Sequence, residues 1–268
     1  MNGNMLEKRF AEMGARAIVS GPSLRAVRVN GAWVPRRITL DIARDKRGEF
    51  FTVRLADGVE ADVVNVDRKG RHLLLHVQDG RDKSKYLCGH DERHWFVAAI
   101  PESTPGVTTV AKAKAALQPD GLHDATKALR RKDRYSRRNH VFKRQGEWFL
   151  TPVADFFPEP PAHLIHRNDP ITRGRGKPHI VEFLYRNPGQ TVYVAPGGGT
   201  LSAEAFDAMN AVERKKRMWT ARTEVGEVWA KGRVSHPDHA TITLDGWHRV
   251  EMNNEQKSRA MRHVAFID

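Results

Sequence analysis

Between residues 26 and 77 the chain is cut into short strand-like runs, at 26–34, 37–42, 49–55, 59–66 and 72–77, joined by short charged connections. Runs of this length, bounded by Gly, Asp and Lys, are too short for stable helices and read as strands. Asp57-Gly58 stands between two of them as a hairpin signal. Residues 85–100 continue the pattern, with strands at 86–88 and 93–100 around a loop of His90, Asp91 and Glu92. Such a succession predicts an antiparallel meander, closed into a small barrel or laid as a sheet beneath a helical cover.

Helical signals are fewer. Leu6, Phe10 and Met13 recur at helical spacing within residues 5–17, and Gly21-Pro22 ends that segment. Thr108 or Thr109 caps a helix running to Leu117, and Pro119 closes it. Ser202 caps a longer one over residues 203–219, with Phe206, Met209, Val212 and Met218 near one face. Strands follow at 227–234, 240–244 and 247–252, the last two joined by a two-residue turn at Asp245-Gly246. A terminal helix at 255–262 and a last strand at 263–267 complete the expectation. The fold class is therefore α+β, with a β-rich N-terminal meander or small barrel and its covering helix at 1–118. A central basic helical segment and strand occupy 119–153. A Pro/Gly-rich linker and basic loop span 154–178. A C-terminal α/β part at 179–268 ends in a β-hairpin.

Charge is concentrated. The chain carries a net charge of +13, and residues 127–144 (KALRRKDRYSRRNHVFKR) hold nine Lys/Arg against the single acid Asp133. Drawn as a helix, Lys127, Arg131, Arg134 and Arg138 share a face that Arg130 and Arg137 widen. With so few acids nearby the like charges repel, and a polyanion would relieve them with release of counterions. The bland rival is a solvated basic linker; an acidic protein or membrane surface is a third reading. Lys132, Lys143 and Arg144 extend the basic surface, and Trp148 is placed to stack on an exposed base. Arg173, Arg175 and Lys177 alternate with glycines that let backbone amides approach a phosphate. The P-loop spacing is absent there.

One cysteine, Cys88, excludes an internal disulfide and any multi-cysteine zinc site, while thirteen histidines leave a His-based site open. Two His-rich turns stand out. In the first, a three-residue loop at His90–Glu92 would set Cys88 opposite His94. That arrangement offers a metal set of Cys88, His90 and His94, with Asp91 in reserve, or a Cys–His nucleophilic pair. The competing reading is a cysteine buried as a small core residue. The second turn is His236-Pro237-Asp238-His239. His248 falls too far along the predicted hairpin to join it, at about 3.3 Å per residue. His90, Asp91, His94, His236, Asp238 and His239 are thus the catalytic candidates. His179 and Glu182 form a weaker pair.

No apolar run approaches the roughly 20 residues that span a bilayer, and the N-terminus lacks an apolar signal core. These features predict a cytoplasmic nucleic-acid-binding protein, with RNA or a single strand favoured because no duplex-reading helix motif is visible. The alternatives are a His/Asp-dependent nuclease or phosphoesterase, assisted by a divalent metal ion, and a non-catalytic component of a protein assembly.

Overall fold

The chain opens with helix α1 (Gly3–Ala11), where Leu6 and Phe10, one turn apart, are both buried. Gly14, at φ +79°, ends it by a backbone conformation that other residues adopt only with strain, so the helix stops short of residue 17. The computed structural model describes residues 3–21, 26–29, 32–153, 159–174, 176–187, 189, 191–196, 199–223 and 226–264.

Strands β1 (Ala17–Ser20), β2 (Ala26–Val29), β3 (Ala32–Pro35), β4 (Ile38–Asp45) and β5 (Gly48–Leu55) follow. They form a sheet in the order β1-β5-β4 and a separate β2–β3 hairpin. A second sheet runs in simple sequence order through β6 (Val59–Asp67), β7 (His72–Asp79), β8 (Asp82–Asp91) and β9 (His94–Ala99). Asp57-Gly58 is a tight turn, closed by the Val59 amide on the Ala56 carbonyl at 3.1 Å, but it does not make a hairpin. Strand β5 already pairs with β1 on one side and β4 on the other, so β6 finds no free edge and starts the next sheet.

The β6–β9 sheet is buried on both faces, which explains the unbroken apolar run His72–Val77. Leu73, Leu75, Val77, Tyr86, Cys88 and Val97 pack with Leu40, Phe51, Val53 and the α1 residues. Leu74, Leu87 and Ala98 lie beneath helix α2 (Val110–Leu117), which contributes Val110, Ala113, Ala116 and Leu117. The Thr109 hydroxyl caps α2 through the Lys112 amide, as its sequence predicts.

The predicted basic helix does not form. Helix α3 (His123–Lys127) is five residues long, and the chain then winds through successive turns to β10 (Lys143–Gln145). Arg134 reaches back to the carbonyls of Leu129 (3.0 Å) and Lys127 (2.7 Å), capping the short helix instead of extending it. The Asn139 carboxamide accepts the amides of Val141 and Phe142 at 2.9 Å, fixing a further turn. Buried Leu122, Phe142 and Phe149 pin this basic segment to the body of the protein.

Strand β11 (Trp148–Pro152) joins the largest sheet with β12 (Ile165–Ile171), β13 (His179–Arg186), β17 (Val228–His236) and β18 (His239–Met252), in the order β10-β11-β18-β17-β13-β12. The segment expected to be a linker therefore contributes a full strand, β12. Between β13 and β17 the chain makes β14 (Thr191–Val194), β15 (Thr200–Ser202), α4 (Ala203–Ala208), α5 (Ala211–Lys215) and β16 (Thr220–Thr223). The helix expected over 203–219 is broken because Asn210 leaves the helical conformation and caps α5 through the Glu213 amide.

The terminal hairpin exists, but its turn lies at Pro237-Asp238. Asp245-Gly246 sits inside β18, where Asp245, Gly246 and Trp247 together face the single residue Lys231 as a bulge. Trp247 is buried there and donates its indole N–H to Glu159 at 3.0 Å, an anchor that a turn would lose. After β18 two short 3-10 turns, Asn254–Lys257 and Arg259–His263, replace the predicted helix and lead Val264 to pair with Leu40. The rest of the predicted final strand, 265–267, lies outside the described residues. No helix among the described residues is long and apolar enough to cross a membrane.

Candidate metal centre

Three histidines meet at one end of the large sheet. His236 ends β17 and His239 starts β18, paired across the Pro237-Asp238 turn, while His179 opens the neighbouring β13 beside them. All three are buried, at 2%, 8% and 7% exposure for His179, His236 and His239. Their rings stack, with centroids 4.2 Å apart for His179–His236, 4.7 Å for His236–His239 and 5.6 Å for His179–His239. One nitrogen from each lies within 4.8 Å of the others, the one group of three such ligands among the described residues. Zn–N bonds of about 2.0–2.1 Å set tetrahedral neighbours roughly 3.3 Å apart, so an ion would draw the rings inward.

The surroundings fix the protons. Gln145 Nε2 donates to the carbonyls of Ala240 (2.7 Å) and Val234 (3.3 Å), so its Oε1 is the atom 2.9 Å from His179 Nδ1. That oxygen accepts, so His179 carries its proton on Nδ1 and presents Nε2 bare, 3.9 Å from a Glu147 oxygen. Burial, with the neighbouring His236 and His239, lowers the His179 pKa to about 3 and keeps it in the neutral, ligating form. His236 Nδ1 accepts the Asp238 amide at 3.1 Å. Ligation of an ion through Nε2 would move the His236 proton to Nδ1 and exchange that contact, worth about 1 kcal/mol, for a metal bond. Among the described residues His239 Nδ1 is buried without a hydrogen bond; a Glu92 carboxylate oxygen is 3.6 Å away.

Gly146, in the β10–β11 turn, closes over the set. Its φ is +58°, and a Cβ there would stand 3.0 Å from His239 Nε2 and 3.3 Å from the His179 ring. The backbone comes this close only because the residue is glycine.

A cavity of about 280 Å³ adjoins the centre, between the β6–β9 sheet, the basic segment and the large sheet. His239, Gly146 and Glu147 line it, as do Lys114, Arg144 and the pair Arg173–Glu255. Glu255 is almost wholly buried, and burial raises its carboxyl pKa although Arg173 opposes the shift.

The two His-rich turns predicted from sequence do meet. His94 Nε2 lies 3.6 Å from Asp238, and Glu92 accepts the Ala240 amide at 2.7 Å. Their chemistry is redistributed, however. The turn after β8 is Glu92-Arg93, so Cys88 faces Val97 rather than His94. Cys88 is fully buried and burial pushes its thiol pKa up, which removes the nucleophile and the Cys88/His90/His94 metal set. His90 packs edge-on against Trp95, and His94 Nδ1 is held by Glu49 at 2.5 Å. Asp91 is bound by Arg137 and by Arg144 at 3.3 Å. Asp238 is taken by Lys177 at 2.6 Å, which with His94 and His236 keeps its carboxyl acidic against the opposing effect of burial.

The phosphate-contact candidates divide. Arg137 also pairs with Glu92 at 2.7 Å, Lys127 with Asp124 at 2.8 Å, and Lys143 with the Thr243 carbonyl at 2.7 Å. Arg134 caps α3, and Arg173 and Lys177 are paired as described. Trp148 is half-buried, its ring edge-on to His179. Arg130, Arg131, Lys132 and Arg138 stay exposed, and no ion pair holds them among the described residues. Arg175 lies outside the described residues. Sequence reasoning missed Gln145, Gly146, Glu147, Lys114 and Glu255, and it left His179 as half of a weaker pair with Glu182. Only the run Gln145-Gly146-Glu147 carried a signal, a glycine flanked by polar residues beside a strand.

Comparison with known proteins adds no identity: no family model matches the chain, and no curated protein or solved structure matches it.

Proposed function

We propose that the chain is a metal-assisted phosphoesterase in which His179, His236 and His239 hold a divalent ion, zinc by ligand type. One observation carries the reading: three buried imidazoles converge, and one of them, His239, stands at the wall of a cavity that also presents a carboxylate and several cations. Three protein ligands leave a fourth position for water, whose pKa an ion of this kind lowers to about 7. Glu147 is placed beside the set to accept the proton that such a water gives up. Lys114, Arg137, Arg144 and Arg173 line the cavity and favour an anionic substrate and the charge that develops on it.

The test is metal content and turnover together. Protein stripped with chelator and reloaded is expected to bind one zinc ion per chain and to cleave a phosphodiester such as bis(p-nitrophenyl) phosphate. His236→Ala and His179→Ala remove both. Zinc bound without cleavage of mono- or diesters would overturn the catalytic reading, and no zinc bound would overturn the site.

The exposed quartet Arg130, Arg131, Lys132 and Arg138 supports a second reading, in which the chain binds single-stranded nucleic acid without turnover. Four phosphate contacts would give a salt dependence of roughly −3 in log K against log salt. A flat salt profile would remove it.

A further inference from the structure

Lys114 is the unexplained cation of the cavity. It sits in the last turn of α2, where the helix dipole favours a positive charge. Yet its ammonium makes no hydrogen bond or ion pair among the described residues, although the side chain is largely buried. Burial lowers its pKa, and the Arg144 guanidinium lowers it further against the pull of Asp67 and Asp91. Arg144 has only a 3.3 Å contact with Asp91, whose other oxygen is taken by Arg137. Arg137 and Arg144 thus share Asp91 and Glu92, whereas the lysine has only the longer-range pull of Asp67 and Asp91.

His72 lines the same cavity, and its Nδ1 is buried without a hydrogen-bond partner. Burial, then Lys114, lowers the His72 pKa to about 4, against a backbone contact with Gly70 that favours the charged ring. Gly89 makes room for this arrangement: a Cβ there would collide with the His72 ring at 2.3 Å. Two cations at the wall of one space, one of them without a hydrogen bond or ion pair among the described residues, suit a multi-oxygen anion that accepts from both.

We propose that Lys114 and Arg144, at a cavity wall that His72 completes, form a phosphate-binding subsite, which holds the phosphate of a small substrate beside the histidine centre. The catalytic meaning of the subsite rests on the phosphoesterase reading, but its ligand chemistry does not. A phosphate dianion neutralises Lys114 and accepts hydrogen bonds from the Lys114 ammonium and the Arg144 guanidinium. A subsite within a cavity of about 280 Å³ admits a terminal phosphate more readily than the internal phosphates of a long strand.

Titration calorimetry on chelator-treated protein at pH 8 tests this without metal or turnover. Inorganic phosphate is expected to bind, and AMP at least 10-fold more tightly than adenosine. Acetate is expected not to compete. Lys114→Met, nearly isosteric, is expected to weaken phosphate at least 10-fold, and Arg144→Lys less so. His236→Ala is expected to bind phosphate as the parent does. Equal affinity for AMP and adenosine, competition by acetate, or an unaltered Lys114→Met would each overturn the subsite. Phosphate bound by protein that fails to take up zinc would keep the subsite and sink the phosphoesterase reading. Zinc taken up by protein that ignores 10-fold excesses of phosphate over millimolar levels would do the reverse.

Discussion

Glu92 and Ala240 are 148 positions apart in sequence, and the Glu92 carboxylate accepts the Ala240 amide at 2.7 Å. This bond ties the β8–β9 turn to the β17–β18 turn, so the N-terminal sheets and the large sheet share one wall of the cavity. Glu92 adopts φ +43°, a strained conformation for a residue other than glycine, which its bonds to Ala240 and Arg137 hold in place. Glu92→Ala is expected to lose about 1.5–3 kcal/mol, the range for hydrogen bonds to a charged group. Urea denaturation measures it, and faster amide exchange at Ala240 places the loss at the junction. An unchanged midpoint would mean that packing alone joins the two turns.

Gly146→Ala separates the centre from overall stability. A left-handed alanine costs about 1 kcal/mol, and its methyl would press on His239 and His179. The expected result is a fold that melts a few degrees lower and a zinc affinity reduced at least 10-fold, read by competition with a chromophoric chelator. Normal affinity would show that the rings do not need the space that glycine leaves.

Gln145→Leu removes the acceptor that orients His179 and strands the Ala240 and Val234 carbonyls. Loss of such a supporting contact typically weakens a metal site 10–100-fold. Zinc affinity is expected to fall within that range, with the proton on His179 no longer confined to Nδ1, a change that ring nitrogen chemical shifts report directly.

Why were the strands legible and the centre not? The runs from Gly48 to Ala99 follow from local residue choice, because each β6–β9 strand pairs with its sequence neighbour. The Thr109 cap was legible for the same reason. Asp57-Gly58 and Asp245-Gly246 misled because a turn dipeptide says nothing about which edges are already occupied or where a buried Trp247 anchors the strand. The basic segment misled because its charges are answered from afar, Arg137 by Asp91 and Glu92. His236 and His239 were visible as a local pair. Their third partner, His179, arrives only through the β13–β17 register, and Gln145 and Glu147 only through the β10–β11 turn. No local pattern encodes that convergence.

Acid should weaken the fold through its buried histidines. His179 titrates near 3, and His72 and His263 near 4, mainly because burial disfavours the charged ring. In the unfolded chain each takes up its proton near 6.5. Between those values the unfolded state binds more protons than the folded one, so stability falls as pH drops from about 6.5 toward 4 and is level above 7. Each histidine contributes at most about 1.4 kcal/mol per pH unit. Denaturation midpoints at pH 7.5, 5.5 and 4.5 check the trend; a flat profile would mean that these rings are hydrated.

Arg173 and Glu255 line the cavity as a buried ion pair, with side chains 15% and 3% exposed. Removing one partner of such a pair leaves an uncompensated charge and costs about 3–5 kcal/mol. Arg173→Met is therefore expected to be strongly destabilising at pH 8, whereas the double variant Arg173→Met with Glu255→Met recovers most of the loss. The pH dependence carries its own sign. Burial raises the Glu255 pKa, and without Arg173 only the Asn253 hydrogen bond opposes that shift. The folded state then binds a proton that the unfolded state releases, so Arg173→Met loses stability as pH rises and suffers less at pH 5 than at pH 8. Equal losses at both pH values would show that Glu255 stays ionised, held by groups other than Arg173.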